Sequence, residues 1–333
     1  MSASAKCAAC GKQSPCPNLL ACSRCRAVAY CGLECQRAHW KASHKASCQD
    51  DARRAFKRLV SAADAGDTDA QYNVASCHMN GVGTEENAAA AVPWLLRASK
   101  AGNTEAQHNL GKCFERGLGI SSSAAKAGAW YRRAAEAGHV GAQLSLGRCY
   151  ETGDCGVVAN VAQALSWYHR AAEAGNSEAQ VILGTFYREG KGVAVDPVKA
   201  FAFFRRAAEA GQVAGQCFVG SCYEYGFGVA KDPAQAALWY RRSAEAGNEC
   251  AQCNLGCCFM VGRGVAVDYV QAFAWFRRSA DGGHASAMFR VGEGYERGHG
   301  IAADSAQALA WYRKAAKGGD ADARASLARL GSR

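Results

Sequence analysis

The side chains best equipped for chemistry are crowded at the start of this chain. Eight cysteines and two histidines fall within the first fifty residues. Cys7 and Cys10 form one close pair and Cys22 and Cys25 a second; Cys31 with Cys35, and His44 with Cys48, are each one residue further apart. A Cys-x2-Cys knuckle turns two thiolates toward one ion, and two such pairs complete a tetrahedron around zinc. His44 and Cys48 share a face if their segment is helical. Eight ligands make two four-ligand sites. Such sites leave no position for a reactive water, so the zinc is expected to be structural rather than catalytic. A segment this short buries too little apolar surface to fold alone, and metal binding would supply its folding free energy. The competing reading is a disulfide framework. The CxxC pairs, and a short polar opening from Met1 to Lys6 with no secretory signal, favour metal in a reducing compartment.

With that pattern in view, Cys7 to Cys48, including the tail CQRAHWKASHKASC, resembles a MYND-type zinc finger. The resemblance implies two ions in a cross-brace. Cys7, Cys10, Cys31 and Cys35 would hold one, and Cys22, Cys25, His44 and Cys48 the other. Eight residues separate Cys35 from His44, one more than the family usually has, which leaves His39 as an alternative ligand. Cys16 is a thiol that the pattern does not need. The resemblance also implies a protein-interaction module reading short, often proline-containing peptides. Its contact residues would be Ser23, Gln36 and Trp40, the last two sharing a helical face. Trp40 is equally suited to packing over the zinc core.

Everything after residue 50 repeats. Gly66, Gly102, Gly138, Gly175, Gly211, Gly247, Gly283 and Gly319 recur every 36 residues, with one interval of 37 whose extra residue lies near Cys155. A period of this size means stacked supersecondary units. Each unit holds an AQxxLGxCYExG segment, a GxGV turn and a DPxxAxxWYRRAAEAG segment, and alanine content with three- and four-residue apolar spacing makes both segments helices. Asp196-Pro197 and Asp232-Pro233 read as an N-cap followed by proline at the first helical position, with Asp268 and Asp304 as later counterparts. Pro93 should delay or kink its helix. Seven helix pairs over roughly 67–319 are expected, with a preceding helix over 52–65 and a final one near 322–330. The pattern resembles Sel-one-like repeats, relatives of the tetratricopeptide repeat. It implies an all-α fold: a right-handed α-solenoid over 52–330 carrying the small finger at 7–48.

Comparison among repeats locates a candidate binding face. Numbered from Ala70, Ala106, Ala142, Ala179, Gly215, Ala251 and Ala287, positions one, five, six and nine of the first helix hardly vary. Positions four, seven and eleven vary freely. At about 100° per residue they share one arc, expected to be exposed and to line the concave groove. Asn109, Lys112, Arg148, Phe218 and Asn254 are the candidate peptide contacts.

Other signals read as packing or solvation. Cys77, Cys113, Cys149, Cys222 and Cys258 form a row at position eight, expected to act as small hydrophobes rather than disulfides between repeats. Cys250, Cys253 and Cys257 share a helical face without a convincing fourth metal ligand. Paired basic residues such as Arg205-Arg206 and Arg277-Arg278 are followed one turn later by Glu209 and Asp281, the pairing of a solvated helix. The formal charge of +10 falls to about +7 once the four charges of two zinc ions are set against seven thiolates. That surface suits acidic partners without demanding nucleic acid. No apolar run reaches the ~20 residues of a membrane span. The expectation is a monomeric, non-enzymatic adaptor of cytoplasm or nucleus, with the finger capturing a linear motif and the groove a second protein. The resemblances also admit a subunit or substrate adaptor of a ubiquitin-ligase or chromatin and transcription complex.

Overall fold

A computed structural model describes residues 20–21, 29–30 and 45–331. A two-stranded antiparallel ladder pairs β1 (Leu20–Ala21) with β2 (Ala29–Tyr30). Helix α1 spans Lys45–Asp64, followed by α2 (Thr68–Asn80), α3 (Ala88–Lys100), α4 (Thr104–Arg116), α5 (Ala124–Glu136) and α6 (Val140–Thr152). Beyond them lie α7 (Val161–Glu173), α8 (Ser177–Glu189), α9 (Pro197–Glu209), α10 (Val213–Tyr225) and α11 (Pro233–Glu245). The chain ends with α12 (Glu249–Val261), α13 (Tyr269–Asp281), α14 (Ala285–Arg297), α15 (Ser305–Lys317) and α16 (Ala321–Gly331). The architecture is an all-α solenoid of tandem helix pairs. It divides into two compact units, Met1–Asn160 and Val161–Arg333, and the division falls inside the one repeat that carries an extra residue.

The helix ends obey local chemistry. Asp196, Asp232, Asp268 and Asp304 each accept a first-turn backbone N–H through the side chain, with proline opening α9 and α11. Gly138, after α5, adopts φ +88°, the left-handed conformation expected of a helix terminus. Pro93 does not delay its helix. Helix α3 starts at Ala88 and runs its full 13 residues through the proline. Pro93 and Ala89, whose carbonyl loses its partner, both lie on the exposed face, where water can serve that carbonyl.

The core is built from one contact repeated in most of the helix pairs. Position six of the first helix is glycine because the second helix lays an aromatic ring over it. A Cβ at Gly220 would stand 2.6 Å from Tyr240, at Gly256 2.7 Å from Phe276, and at Gly292 2.6 Å from Tyr312. Where the ring carries a hydroxyl, position ten supplies its acceptor: Tyr131 donates to Glu115 at 2.9 Å, and Tyr240 and Tyr312 donate to Glu224 and Glu296 at 2.6 Å. Where the ring is Phe204 or Phe276, position ten is Arg188 or Met260. A buried hydroxyl needs a partner and a phenyl ring does not, so the two positions change together. Neighbouring pairs are tied by position two: Gln107, Gln143, Gln180 and Gln252 donate at 3.0–3.3 Å to carbonyls at the end of the preceding second helix.

The first cap helix begins at Lys45, seven residues before the expected residue 52. Register explains the difference. Ala52 lies 36 residues before Ala88, where α3 begins, and a Cβ on Gly83 of the next turn would collide with Ala52 just as one on Gly119 would with Ala88. From Ala52 onward α1 therefore serves as the second helix of an incomplete repeat. It packs Phe56, Leu59 and Val60 around Ala63, Ala70 and Val74. Residues 45–51 are an N-terminal extension of that helix, and Cys48 lies within it.

Candidate protein-interaction face

Of the eight metal candidates, Cys48 falls in α1. Cys7, Cys10, Cys22, Cys25, Cys31, Cys35 and His44 lie outside the described residues, as do Cys16, His39, Ser23, Gln36 and Trp40. The donor set itself, seven thiolates and one imidazole, is the nitrogen–sulfur chemistry that structural zinc prefers. Among the described residues no three His, Cys, Asp or Glu side chains converge on a metal position.

The variable arc of the first helices is graded rather than uniformly exposed. Position eleven is exposed in every repeat, from Asn80 to Arg297. Position four is half-buried at Asn109, Ser145, Ile182, Phe218, Asn254 and Arg290, and exposed only at Asn73. The reason is a contact that period reading missed: position three of one repeat meets position four of the next, 37 residues on. Asn109 donates to the Tyr72 hydroxyl at 3.3 Å, His108 meets Ser145 at 3.2 Å, and Cys217 bonds Asn254. Val181 and Phe218, the next such pair of positions, are apolar and pack against the same core cluster. The usable signal was that position three varies as widely as position four.

In the first unit, Tyr72, Glu105, His108, Asn109, Lys112 and His139 surround a shallow depression. The Ser145 hydroxyl donates its one proton to the Gly141 carbonyl at 3.0 Å, so His108 must donate to Ser145 from Nε2. Burial, then Lys112 and His139, push the His108 imidazole down to about 3, so it is neutral. The His139 ring lies tilted against it at 4.6 Å, accepts the α6 cap bond at Nδ1, and meets Glu105 at 3.1 Å through Nε2. Lys112 stays half-buried at the rim and Arg148 is exposed. In the second unit Phe218 stacks on Phe204 at 4.7 Å, and the Arg188 guanidinium lies 5.0 Å from the Phe218 ring and 5.9 Å from the Phe204 ring.

Two further groups are now placed. Cys113, Cys222 and Cys258 are buried, and burial raises each thiol, Cys222 to about 11 and Cys258 to about 12, as inert packing requires. Cys149 is the correction. It is bonded to Cys155, because the extra residue of the 37-residue interval turns the chain back over the end of α6, with Cys155 at φ +55°. Among the basic pairs, Arg205–Glu209 and Arg277–Asp281 form the expected ion pairs at 2.8 and 3.0 Å. The second basic residue of a pair stacks on the tryptophan three residues earlier, as Arg242 does on Trp239 at 4.6 Å and Arg278 on Trp275 at 5.0 Å.

The comparisons agree with this construction. The Sel1 repeat model matches residues 68–103, 104–139, 140–176, 177–212, 213–248, 251–284 and 285–320. The chain belongs to the Sel1 repeat family. The MYND finger model matches residues 7–48, so this Sel1 repeat protein also carries a MYND finger, a zinc-binding module. The chain is 36% identical to a protective antigen present in uropathogenic Escherichia coli strains and displaying an SLR fold. That alignment has a TM-score of 0.77 and covers 83% of this chain but only 59% of the antigen. A Sel1 repeat protein from Oxalobacter formigenes is 33% identical, with a TM-score of 0.62, over 69% of this chain and 92% of that one. No curated protein matches significantly. A Sel1 solenoid joined to a MYND finger fits a protein-interaction scaffold. Among the described residues no helix is long and apolar enough to cross a membrane.

Proposed function

We propose that this Sel1 repeat protein is a two-site adaptor that binds rather than catalyses. The finger, residues 7–48 with two cross-braced zinc ions, captures a short, proline-containing motif through Ser23, Gln36 and Trp40. The first-helix face of the repeat domain, residues 52–330, holds a second protein, with Asn109, Lys112, Arg148 and Asn254 among its contacts. The monomer works in cytoplasm or nucleus. One observation carries the reading: the repeats keep an almost constant core while the first-helix face, from half-buried at position four to exposed at position eleven, changes chemistry from repeat to repeat. Joining two sites in one chain raises the effective concentration of one partner near the other.

The test is a quantitative pull-down with three full-length baits: wild type, Gln36→Ala/Trp40→Ala, and Asn109→Ala/Lys112→Glu. Each bait must first retain its zinc and its helical signal. Two partner sets, each lost with one variant only, are expected. Partners that survive both variants would sink the assignment of these faces.

A further inference from the structure

The sixth repeat stands beside a cavity. Its ring is Phe276, without a hydroxyl, and its position ten is Met260, without a carboxylate. Position eight of the following first helix is Gly294, where the other repeats carry cysteine or phenylalanine. The Phe273 ring already stands against Gly294, 2.7 Å from where a Cβ would sit, and the cavity of about 230 Å³ lies between α12, α13 and α14. That is below the ~300–1,000 Å³ typical of small-molecule sites, so it suits a single side chain. Its floor is Met260, Phe273 and Phe276. Tyr269 at the start of α13 and His299 in the turn after α14, stacked at 4.7 Å, line its edge.

Charge decides what stands beside that side chain. Arg290 and Arg297 both line the cavity and share one carboxylate, Glu293, at 2.6 and 3.4 Å. Two guanidiniums against one carboxylate leave a single positive charge beside an apolar hole, which matches one carboxylate better than a phosphate dianion. We propose that this cavity takes one aromatic or leucine side chain from a partner's peptide segment, with an adjacent Asp or Glu side chain meeting Arg290 and Arg297. The occupant is an internal hydrophobic–acidic dipeptide of a protein. This deepens the adaptor reading, and rests on it, by assigning part of the second partner's motif.

The reporter is built in. The chain has four methionines, Met1, Met79, Met260 and Met288. Full-length protein labelled with 13C at the methionine methyls is titrated with N-acetyl-Phe-Glu-amide, and Met260 is assigned from Met260→Ile. A saturable shift of Met260 with Met79 unmoved is expected, at a dissociation constant on the order of 1 mM. N-acetyl-Phe-Gln-amide, and N-acetyl-Phe-Glu-amide on Arg290→Gln or Arg297→Gln, should each bind about threefold more weakly, as one partly exposed ion pair dictates. N-acetyl-Ala-Glu-amide should leave Met260 still. An unmoved Met260, or equal binding of the Gln or Ala peptide, overturns the proposal. Tighter binding of N-acetyl-Phe with a free carboxylate would overturn the assignment to an acidic side chain, in favour of a chain terminus. Arg297 is exposed, so its variant tests the charge even if Arg290→Gln disturbs the fold. Because the titration contains no partner protein, its failure leaves the two-site adaptor standing. Loss of both partner sets with the titration intact would have the opposite meaning.

Discussion

Acidification should loosen the first unit at His108. The ring is 7% exposed, and its folded-state proton affinity sits at about 3 against an ordinary value of 6.5. The folded value is the lower one, so His108 contributes stability above pH 6.5 that is lost as pH falls toward 3. At pH 5 an unfolded histidine is almost fully protonated while folded His108 is still neutral. Linkage then predicts a loss of about 2 kcal/mol between pH 7 and pH 5 from this residue. Burial lowers His78 and His169 as well, so the wild-type loss alone does not isolate His108. The perturbation that does is His108→Leu, because Leu144 occupies the same position in the next repeat. Hydrogen exchange of α4–α6 amides, corrected for intrinsic rates, should show protection falling between pH 7 and pH 5 about 30-fold more in wild type than in H108L. Urea midpoints should move in parallel. Equal losses in the two proteins would refute the argument, because His108 would then not be held neutral by its surroundings.

Other perturbations test the core and the turn. Gly220→Ala should cost about 1–3 kcal/mol by pressing a methyl against Tyr240. Tyr240→Leu should partly rescue it, since the first repeat carries Ala75 with Leu95; thermal melts of the single and double variants decide this. Tyr240→Phe should cost about 1.5–3 kcal/mol in urea unfolding, because a hydrogen bond to a carboxylate is lost. Burial raises Tyr131, Tyr240 and Tyr312 well above 10, with Glu115, Glu224 and Glu296 adding to the effect, so their stabilisation is present below pH 10 and lost above it. Replacing all three by phenylalanine should flatten the alkaline limb of a stability–pH profile. Cys155→Ser should lower stability by about 2 kcal/mol without reductant and far less with it, and mass spectrometry after thiol blocking in denaturant should find Cys149 newly labelled.

What could be read in the residues was local or periodic. Glycine spacing marked the repeats, aspartate–proline marked helix starts, and thiolate and imidazole spacing marked a zinc module, because each reflects chemistry within a few residues or a pattern repeated seven times. The Tyr–Glu and Gly–ring pairings were also present in the residues, but as joint changes between positions rather than as a period. Tertiary structure decided the remainder. The meeting of position three with position four requires helices stacked one repeat plus one residue apart, an offset that no single repeat encodes. The start of α1 at Lys45 follows from Ala52 filling a second-helix role against Gly83, a contact across 31 residues. The Cys149–Cys155 bond depends on where one extra residue sends the chain, and the cavity at Met260 on how the departures at Met260 and Phe276 pack against α14. Sequence carries such departures one at a time, and packing alone brings them to the same point in space.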